Sequence, residues 1–569
     1  MEELRSSSDF VEDGSVDLHG HAVIRAHTGT WKASLLIIGV EIAERFAYAG
    51  ILSNLVTYLT TALHESTATA ASNVNIWSGV GIHATLFGRH LLPIHIWPLS
   101  RVSNPRHVRV LQKLAPEHHI PRLCFFSSHF IWLLWGKEVT SPAYRPLVQT
   151  SMMRGTQKRR SIRVHSLTGG ILVFAWGPLQ GSLCSCISKT NVGWGVGFGI
   201  PAATMAMTIL VFLFGTRFYR HKLPSGSPLT RIIHVFVAAY FKRNAPIPCR
   251  EPKKIAAVRE QEVLKTGSRR HLLQTNRFRF LDKATVEEEL DFDYKGTRNW
   301  RLCTVQQVEE VKLLIGMSPI WMACLMFGVV FAQSSTFFTK QGSTMDRKMG
   351  PHFEIPPASL QAFIDISIIL LVPVYDRIFV PTARKLTGNA RGITLLQRIG
   401  TGMFVSAISM IVAAVIEMKR VKAAKDNGLV DMPHATIPLS IFWLLPQYVL
   451  FGIADVFTMV GMQEYFYDQM PDTMKSLGIA VYLSVLGVGS FLSSILISVI
   501  DKLSCRSKEQ CWFANNVNKA HLDYFYWLLA SLSLLNLGMF IVLASCYRYK
   551  TAASVDKEEP FSERTLLAT

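Results

Sequence analysis

Three charged side chains sit where an apolar helix would ordinarily carry none. The segment EIAERFAYAG (41–50) places Glu41, Glu44 and Arg45 inside a stretch, 33–63, that is otherwise apolar enough to cross a bilayer. Charges at that depth are costly, so they face a cavity or one another. Glu41 and Arg45 are four residues apart with the acid N-terminal, the favourable order for an ion pair on a helix. Tyr48 shares a face with Glu44. A proton reaching either carboxylate would remove its charge and loosen its hold on Arg45, which is the basis of a proton-coupling site. The competing reading is a static buried ion pair that holds helices together. A second isolated acid, Asp455, lies in another apolar run at 437–461, where an ionisable group is functional by default. Its competing reading is a carboxylate satisfied by a polar neighbour. Gln333 and Tyr448 are candidate cavity polars, or equally packed side chains with local partners.

The elements that must position these residues are membrane helices. The chain has 569 residues, 49% of them hydrophobic and 17% charged. A soluble globular chain carries roughly a quarter charged residues. Apolar spans recur at 33–63, 192–216, 313–338, 360–381, 393–416, 437–461, 477–500 and 522–546. Each can cross a bilayer core of roughly 30 Å. Nine Cys without metal-ligand spacing argue against a zinc scaffold or a disulfide-rich secreted domain. The first 33 residues are polar and acidic, so no secretory signal is evident there. A metal site, a cofactor and an enzyme are not expected, because no His-box, nucleophile elbow or Gly-rich phosphate loop is present.

Charge organises the chain. Residues 217–301 hold 19 Lys or Arg against nine Asp or Glu, as expected of a long cytoplasmic connector and not of a nucleic-acid interface. An amphipathic helix at 254–265 is faintly patterned within it. Six spans follow the connector and two precede it, whereas transporters built from two related halves carry six on each side. The missing spans coincide with 84–189, which holds 14 basic residues and two acidic ones. Alternation puts both termini and loop 376–392 inside, with Asp376-Arg377 closing a helix at the cytoplasmic edge. It puts loop 417–436, with Lys419, Arg420, Lys422 and Lys425, on the outside, against the charge rule. It also puts Cys505 and Cys511 outside, as a disulfide or as two thiols. Pro471 is expected to break the chain between successive helices.

EIAERFAYAG resembles the ExxER helix of the proton-dependent oligopeptide transporters, in the plant nitrate/peptide transporter branch of the major facilitator superfamily. The resemblance continues through NVNIWSGVG (73–81), NVGWGVGFGIPA (191–202), QSSTFFTKQGSTMDR (333–347), PVYDR (373–377), LTGNARGITLLQRIG (386–400) and PQYVLFGIADVFTMVGMQEYFYDQMPDTMKS (446–476). Ala49 departs from it, where an aromatic is usual, as does Asp455, where Glu is more common. The fold implied is all-α and integral to the membrane, two six-helix bundles of the major-facilitator type. Its segments are an N-terminal cytoplasmic tail (1–32), an N-terminal bundle (33–216), a basic cytoplasmic linker (217–312), a C-terminal bundle (313–546) and a C-terminal cytoplasmic tail (547–569).

Between these matches the strings typical of helices two to five are absent. Residues 82–190 instead hold eight of the 18 His and no Asp. Writing permitted codons and reading from the third base turns Leu147–Arg154 into GADQYDE, Val164–Gly170 into SFFNWW, His90–Trp97 into FIADSYL and His129–Pro142 into FYLVALGKGGHKP. One register serves all four. The expectation is therefore that helices two to five of the first bundle are disrupted by a frame shift at about 82–190, from a gene-model error or a real lesion.

The function implied by the resemblance is proton-coupled symport of nitrate, di- or tripeptides or related small solutes by alternating access. The alternative is a transport-defective product of a frame-disrupted gene. Glu41, Glu44 and Arg45 would couple the proton. Tyr48, Gln333, Tyr448 and Asp455 would line the substrate cavity, with the acid of helix ten opposite the first-helix cluster. The partners implied are the lipid bilayer, protons and a small anionic or peptide solute, in a plasma or vacuolar membrane. No His occurs in 313–338, so a histidine-based nitrate site is absent there. Lys340 follows TFF at the membrane surface and is assigned no substrate.

Overall fold

The computed structural model describes residues 15–16, 21, 23, 28, 31–90, 175–189, 192–222, 228–244, 275, 277–286, 303–351, 353–388, 392–433, 435–471, 474–505 and 511–547. The middle of the 82–190 interval, the helix expected at 254–265 and nearly all of both tails lie outside them. In chain order the helices are α1 (Trp31–Thr61), α2 (Thr67–His90), α3 (175–189), α4 (Trp194–Gly215), α5 (Pro228–Phe241), α6 (Val305–Phe331) and α7 (Phe337–Gly342). There follow α8, built from Ala362–Val374, a π turn at Tyr375–Phe379 and Val380–Thr387, then α9 (Leu395–Asp426), α10 (Leu445–Gln469), α11 (Lys475–Ser504) and α12 (Leu522–Cys546). Ser15–Val16 pairs with His221–Lys222 and Met345–Asp346 with Ile437–Ser440, and Lys348 bridges to Glu354. Six of the described helices are long and apolar enough to cross a membrane by length and composition.

The chain divides into two compact units. One comprises Met1–Ser225, Pro319–Tyr467 and Gly478–Ser545. It is held by close helix crossings at small residues. Gly328 of α6 and Gly489 of α11 touch so closely that a Cβ on Gly489 would stand 2.6 Å from the Gly328 Cα. A Cβ on Gly452 of α10 would meet the Ile364 carbonyl of α8 at 2.9 Å. Association in lipid relies on this kind of backbone approach, since burial of apolar surface gives no advantage there.

Four expectations are corrected here. Residues 82–190 do contribute helix: α2 runs on to His90, and 175–189 are helical. In α3 a small-residue stripe, Gly177, Gly181 and Ser185, lies against Ile42, Phe46 and Gly50 of α1. Helix α8 does not close at Asp376-Arg377. Pro373 cannot donate to the helical ladder, the chain opens into a π turn, and helix resumes until Gly388 ends it at φ 68°. Segment 417–436 is not all loop, because α9 continues to Asp426 and Arg420 is fully buried in it. Finally, α6 begins at Val305 and not at 313, opened by a reciprocal cap between Thr304 and Gln307.

The second unit, Gly226–Ser318, Asp468–Leu477 and Cys546–Thr569, explains that early start. The first turns of α6 carry Glu309, Glu310 and Lys312, all buried. Lys312 Nζ donates to Asp282 Oδ1 at 2.7 Å, to Glu309 Oε1 at 2.8 Å and to the Thr275 carbonyl at 2.9 Å. Glu309 in turn accepts from the Thr275 amide and hydroxyl. A cation and two carboxylates so arranged satisfy one another, which makes their burial tolerable.

Candidate functional site

Helix α1 presents its charges as the spacing requires. Arg45 Nε lies 3.1 Å from Glu41 Oε1, one helical turn back, and 3.6 Å from Glu44 Oε2. The two carboxylates therefore share one guanidinium. Glu44 is 2% exposed and Glu41 11%, but the Arg45 side chain is 32% exposed, so the group between them stays open on one side. Tyr48, one turn further, exchanges a 3.0 Å hydrogen bond with Ser78 of α2 and stacks on Trp77 at 5.4 Å between ring centroids. Tyr48 also feels the charges of Glu44 and Arg45.

The acid of α10 belongs to the same set. Asp455 is 8% exposed, and its Oδ1 has no hydrogen-bond partner among the described residues. Tyr482 of α11 lies within electrostatic reach of both Asp455 and Arg45. Its hydroxyl is held by a weak 3.8 Å contact with the Met459 sulfur. Tyr482 is thus an electrostatic neighbour shared by Arg45 and Asp455.

The other two candidates stand in packed surroundings. Gln333, fully buried just past the end of α6, donates to the Val329 carbonyl at 2.8 Å and to Ser493 Oγ of α11 at 2.9 Å. Asn75 of α2 donates to the same oxygen at 3.0 Å, so Ser493 joins three helices. Tyr448 is fully buried and meets Phe338 edge to face at 5.4 Å. Lys340 is half-buried, not free at a surface, and donates to Thr60 Oγ1 of α1 at 2.9 Å.

Sequence reasoning missed Asp365. It lies on α8 directly after Ile364, which crosses Gly452 of α10, and Asp455 is an electrostatic neighbour. The signal was available, since FIDISIILLVPV (363–374) holds one acid in an apolar run as the α10 segment does. The buried ion pair of Arg420 with Glu417 was missed as well.

The sequence profile described as the POT family matches residues 172–513. The chain belongs to the POT family. It is 41% identical over 550 residues to Protein NRT1/PTR family 5.4 of Arabidopsis thaliana, covering 93% of this chain and 97% of that one. NRT1/PTR family 5.10 of the same plant is 40% identical, covering 94% and 96%. Among solved structures, an auto-inhibited POT family peptide transporter superposes with a TM-score of 0.60 at 19% identity, covering 93% of this chain and 99% of that one. A POT family transporter crystallised in meso gives 0.58 at 18% identity, covering 91% and 99%. This POT family chain is accordingly a multi-pass integral membrane protein with the helical fold of those transporters. The profile also reaches back to residue 172, so the family match takes in α3.

Proposed function

We propose that the chain is a proton-coupled symporter of nitrate, di- or tripeptides or related small solutes, working by alternating access between two six-helix bundles. One observation carries the reading: a single, partly open Arg45 is shared by two carboxylates inside a membrane span. Protonation of Glu41 or Glu44 removes one of the two charges holding the guanidinium. The group then turns toward its remaining partner or toward solute, and that change of partner is what ties proton entry to solute entry. Asp455 supplies the opposite wall. Tyr48 stays a lining residue, while Gln333 and Tyr448 shape the cavity through packing. In proteoliposomes, Glu41→Gln and Glu44→Gln are expected to abolish uptake driven by an inward proton gradient while leaving solute exchange at equal pH. Gradient-driven uptake unchanged in both variants would overturn the reading.

The frame reading of 82–190 belongs with this proposal. Sequencing the transcript across the codons for residues 75–195 tests it, and a shifted register there restores the typical strings of helices two to five. A transport-defective product has no support from the relatives. They match 93–95% of this chain, shares too high to leave the interval out.

A further inference from the structure

The buried charge cluster at the start of α6 is closed from outside by an exposed residue. Lys312 holds Asp282 Oδ1 at 2.7 Å, Glu309 Oε1 at 2.8 Å and the Thr275 carbonyl at 2.9 Å. None of the three ionised side chains is more than 8% exposed. Thr275, by contrast, is exposed. Its amide donates to Glu309 Oε1 at 3.1 Å and its hydroxyl to Glu309 Oε2 at 2.8 Å. One surface threonine therefore occupies both oxygens of a buried carboxylate.

What Thr275 pins is a junction of the connector. Asp282 belongs to the short helical turn Arg279–Thr285, which ties α5 to α6. Lys283 donates to the Arg243 carbonyl just past α5, and Lys242 donates to the Val286 carbonyl at 2.6 Å. The Cys303 amide, two residues before α6, donates to the Ala284 carbonyl at 3.1 Å. The sequence around Thr275 is basic. Arg269 and Arg270 precede it by six and five residues, and Arg277 and Arg279 follow by two and four. The last two are exposed. A hydroxyl flanked in this way suits the acidic substrate groove of a kinase that reads basic segments.

Taking the connector as cytoplasmic, as its charge implies, we propose that Thr275 is a phosphorylation site whose phosphate undocks the connector from α6. The kinase takes the segment while the hydroxyl is off Glu309. Thr275 Oγ1 attacks the γ-phosphorus of a nucleoside triphosphate. The new O–P bond forms as the bond to the β-phosphate breaks, the hydroxyl proton passes to the kinase's base, and the nucleoside diphosphate leaves. The product carries roughly two negative charges at neutral pH. Redocking would force it into the space that one 2.8 Å hydrogen bond to Glu309 now spans. Like-charge repulsion and desolvation both oppose that. Outside the cluster, Arg277 and Arg279 offer the phosphate charge-assisted hydrogen bonds. Both effects move the population toward the undocked form.

The experiment uses the full-length chain expressed in plant cells and purified in detergent with phosphatase inhibitors. Hydrogen exchange is followed by mass spectrometry on peptides spanning residues 275–286, where phosphorylated and unphosphorylated copies separate by mass within one sample. Phosphate is expected on Thr275. The phosphorylated copies are expected to exchange at least about tenfold faster over 277–286, the loss due when hydrogen bonds to a charged group are broken. Phosphatase treatment should return them to the slow rate. Thr275→Val should carry no phosphate there and exchange only a few-fold faster than the unphosphorylated natural chain, since it loses one hydroxyl bond and gains no charge. Thr275→Ser keeps the hydroxyl and should reproduce both populations, so the inference stays testable if the valine variant does not fold. Absence of phosphate from Thr275, or phosphate there with exchange unchanged, overturns the inference.

Discussion

Arg420 and Arg45 both stand beside glutamates, and they are solved differently. Arg420, on α9, has all five of its N–H groups in use. Nε and one terminal nitrogen grip Glu417 at 2.8 and 2.6 Å, and the remaining donors reach Thr344, Asn518 and the Val517 carbonyl at 2.8–3.0 Å. Neither side chain of the pair is exposed at all. Arg45 instead stands between two carboxylates at 3.1 and 3.6 Å with a third of its side chain open. A guanidinium with every donor paired has one arrangement and resists change. One shared unequally by two acids keeps a choice of partner, and the proposed proton coupling acts on that choice. The first builds structure, and the second is the proposed switch.

Breaking the Arg420 centre should have the largest effect. Arg420→Met leaves Glu417 buried with no cation, a loss of roughly 3–5 kcal/mol. Thermal unfolding of the purified protein would show a much lower midpoint, together with loss of folded material. If the midpoint stays put, the contrast between the two arginines collapses.

One loop supplies two of Arg420's acceptors. Val517 and Asn518 lie shortly after Cys511, which is disulfide-bonded to Cys505. Closing so short a loop stabilises by about 2 kcal/mol in the chain-entropy picture. Replacing both cysteines by Ser should cost about that amount. Its effect should fall short of additive with Arg420→Met, because both changes act on one network. Full additivity in the double-mutant cycle would separate the loop from the arginine.

Glu44→Gln should behave in the opposite sense. Its stability cost is small beside that of Arg420→Met, because Glu41 keeps Arg45 paired and the amide leaves no unpaired charge behind. Its functional cost is large, with gradient-driven uptake lost. A melting point that fell as far as in Arg420→Met would make the α1 cluster a structural joint like the other.

The contrast was only partly legible in the sequence. Glu41, Glu44 and Arg45 stood out because charge interrupts an apolar run, and Asp455 for the same reason. Asp365 carries the same signal, one acid within the apolar span 360–381. Arg420 was hidden by company. Lys419, Lys422 and Lys425 make 417–436 read as a basic loop, and nothing local reveals that Thr344 and Asn518, distant in sequence, complete its hydrogen bonds. Lys419 itself lies over the Trp443 ring at 3.3 Å, so a second of those charges is also accounted for by packing. Helix α3 escaped because its informative residues are small and not greasy. Gly177, Gly181 and Ser185 matter through the closeness they allow to α1, which hydropathy does not measure. Gln333 was legible as a buried polar group, but its partners on α2 and α11 were not.

That last joint gives the smallest effect. Ser493 Oγ accepts from Gln333 at 2.9 Å and from Asn75 at 3.0 Å, so one hydroxyl serves α6, α11 and α2. Ser493→Ala removes the acceptor and leaves two amide donors short of a partner. Interhelical hydrogen bonds in lipid average roughly 0.6 kcal/mol, and two of them together should cost about 1 kcal/mol. The sign of any functional effect then separates two roles. If the joint merely packs, uptake at saturating solute stays unchanged and the unfolding midpoint falls slightly. If α2 must slide on α11 as the protein cycles, loosening the bond should raise the exchange rate while stability drops. A fall in exchange rate without a change in stability fits neither account, and would return Gln333 to the cavity.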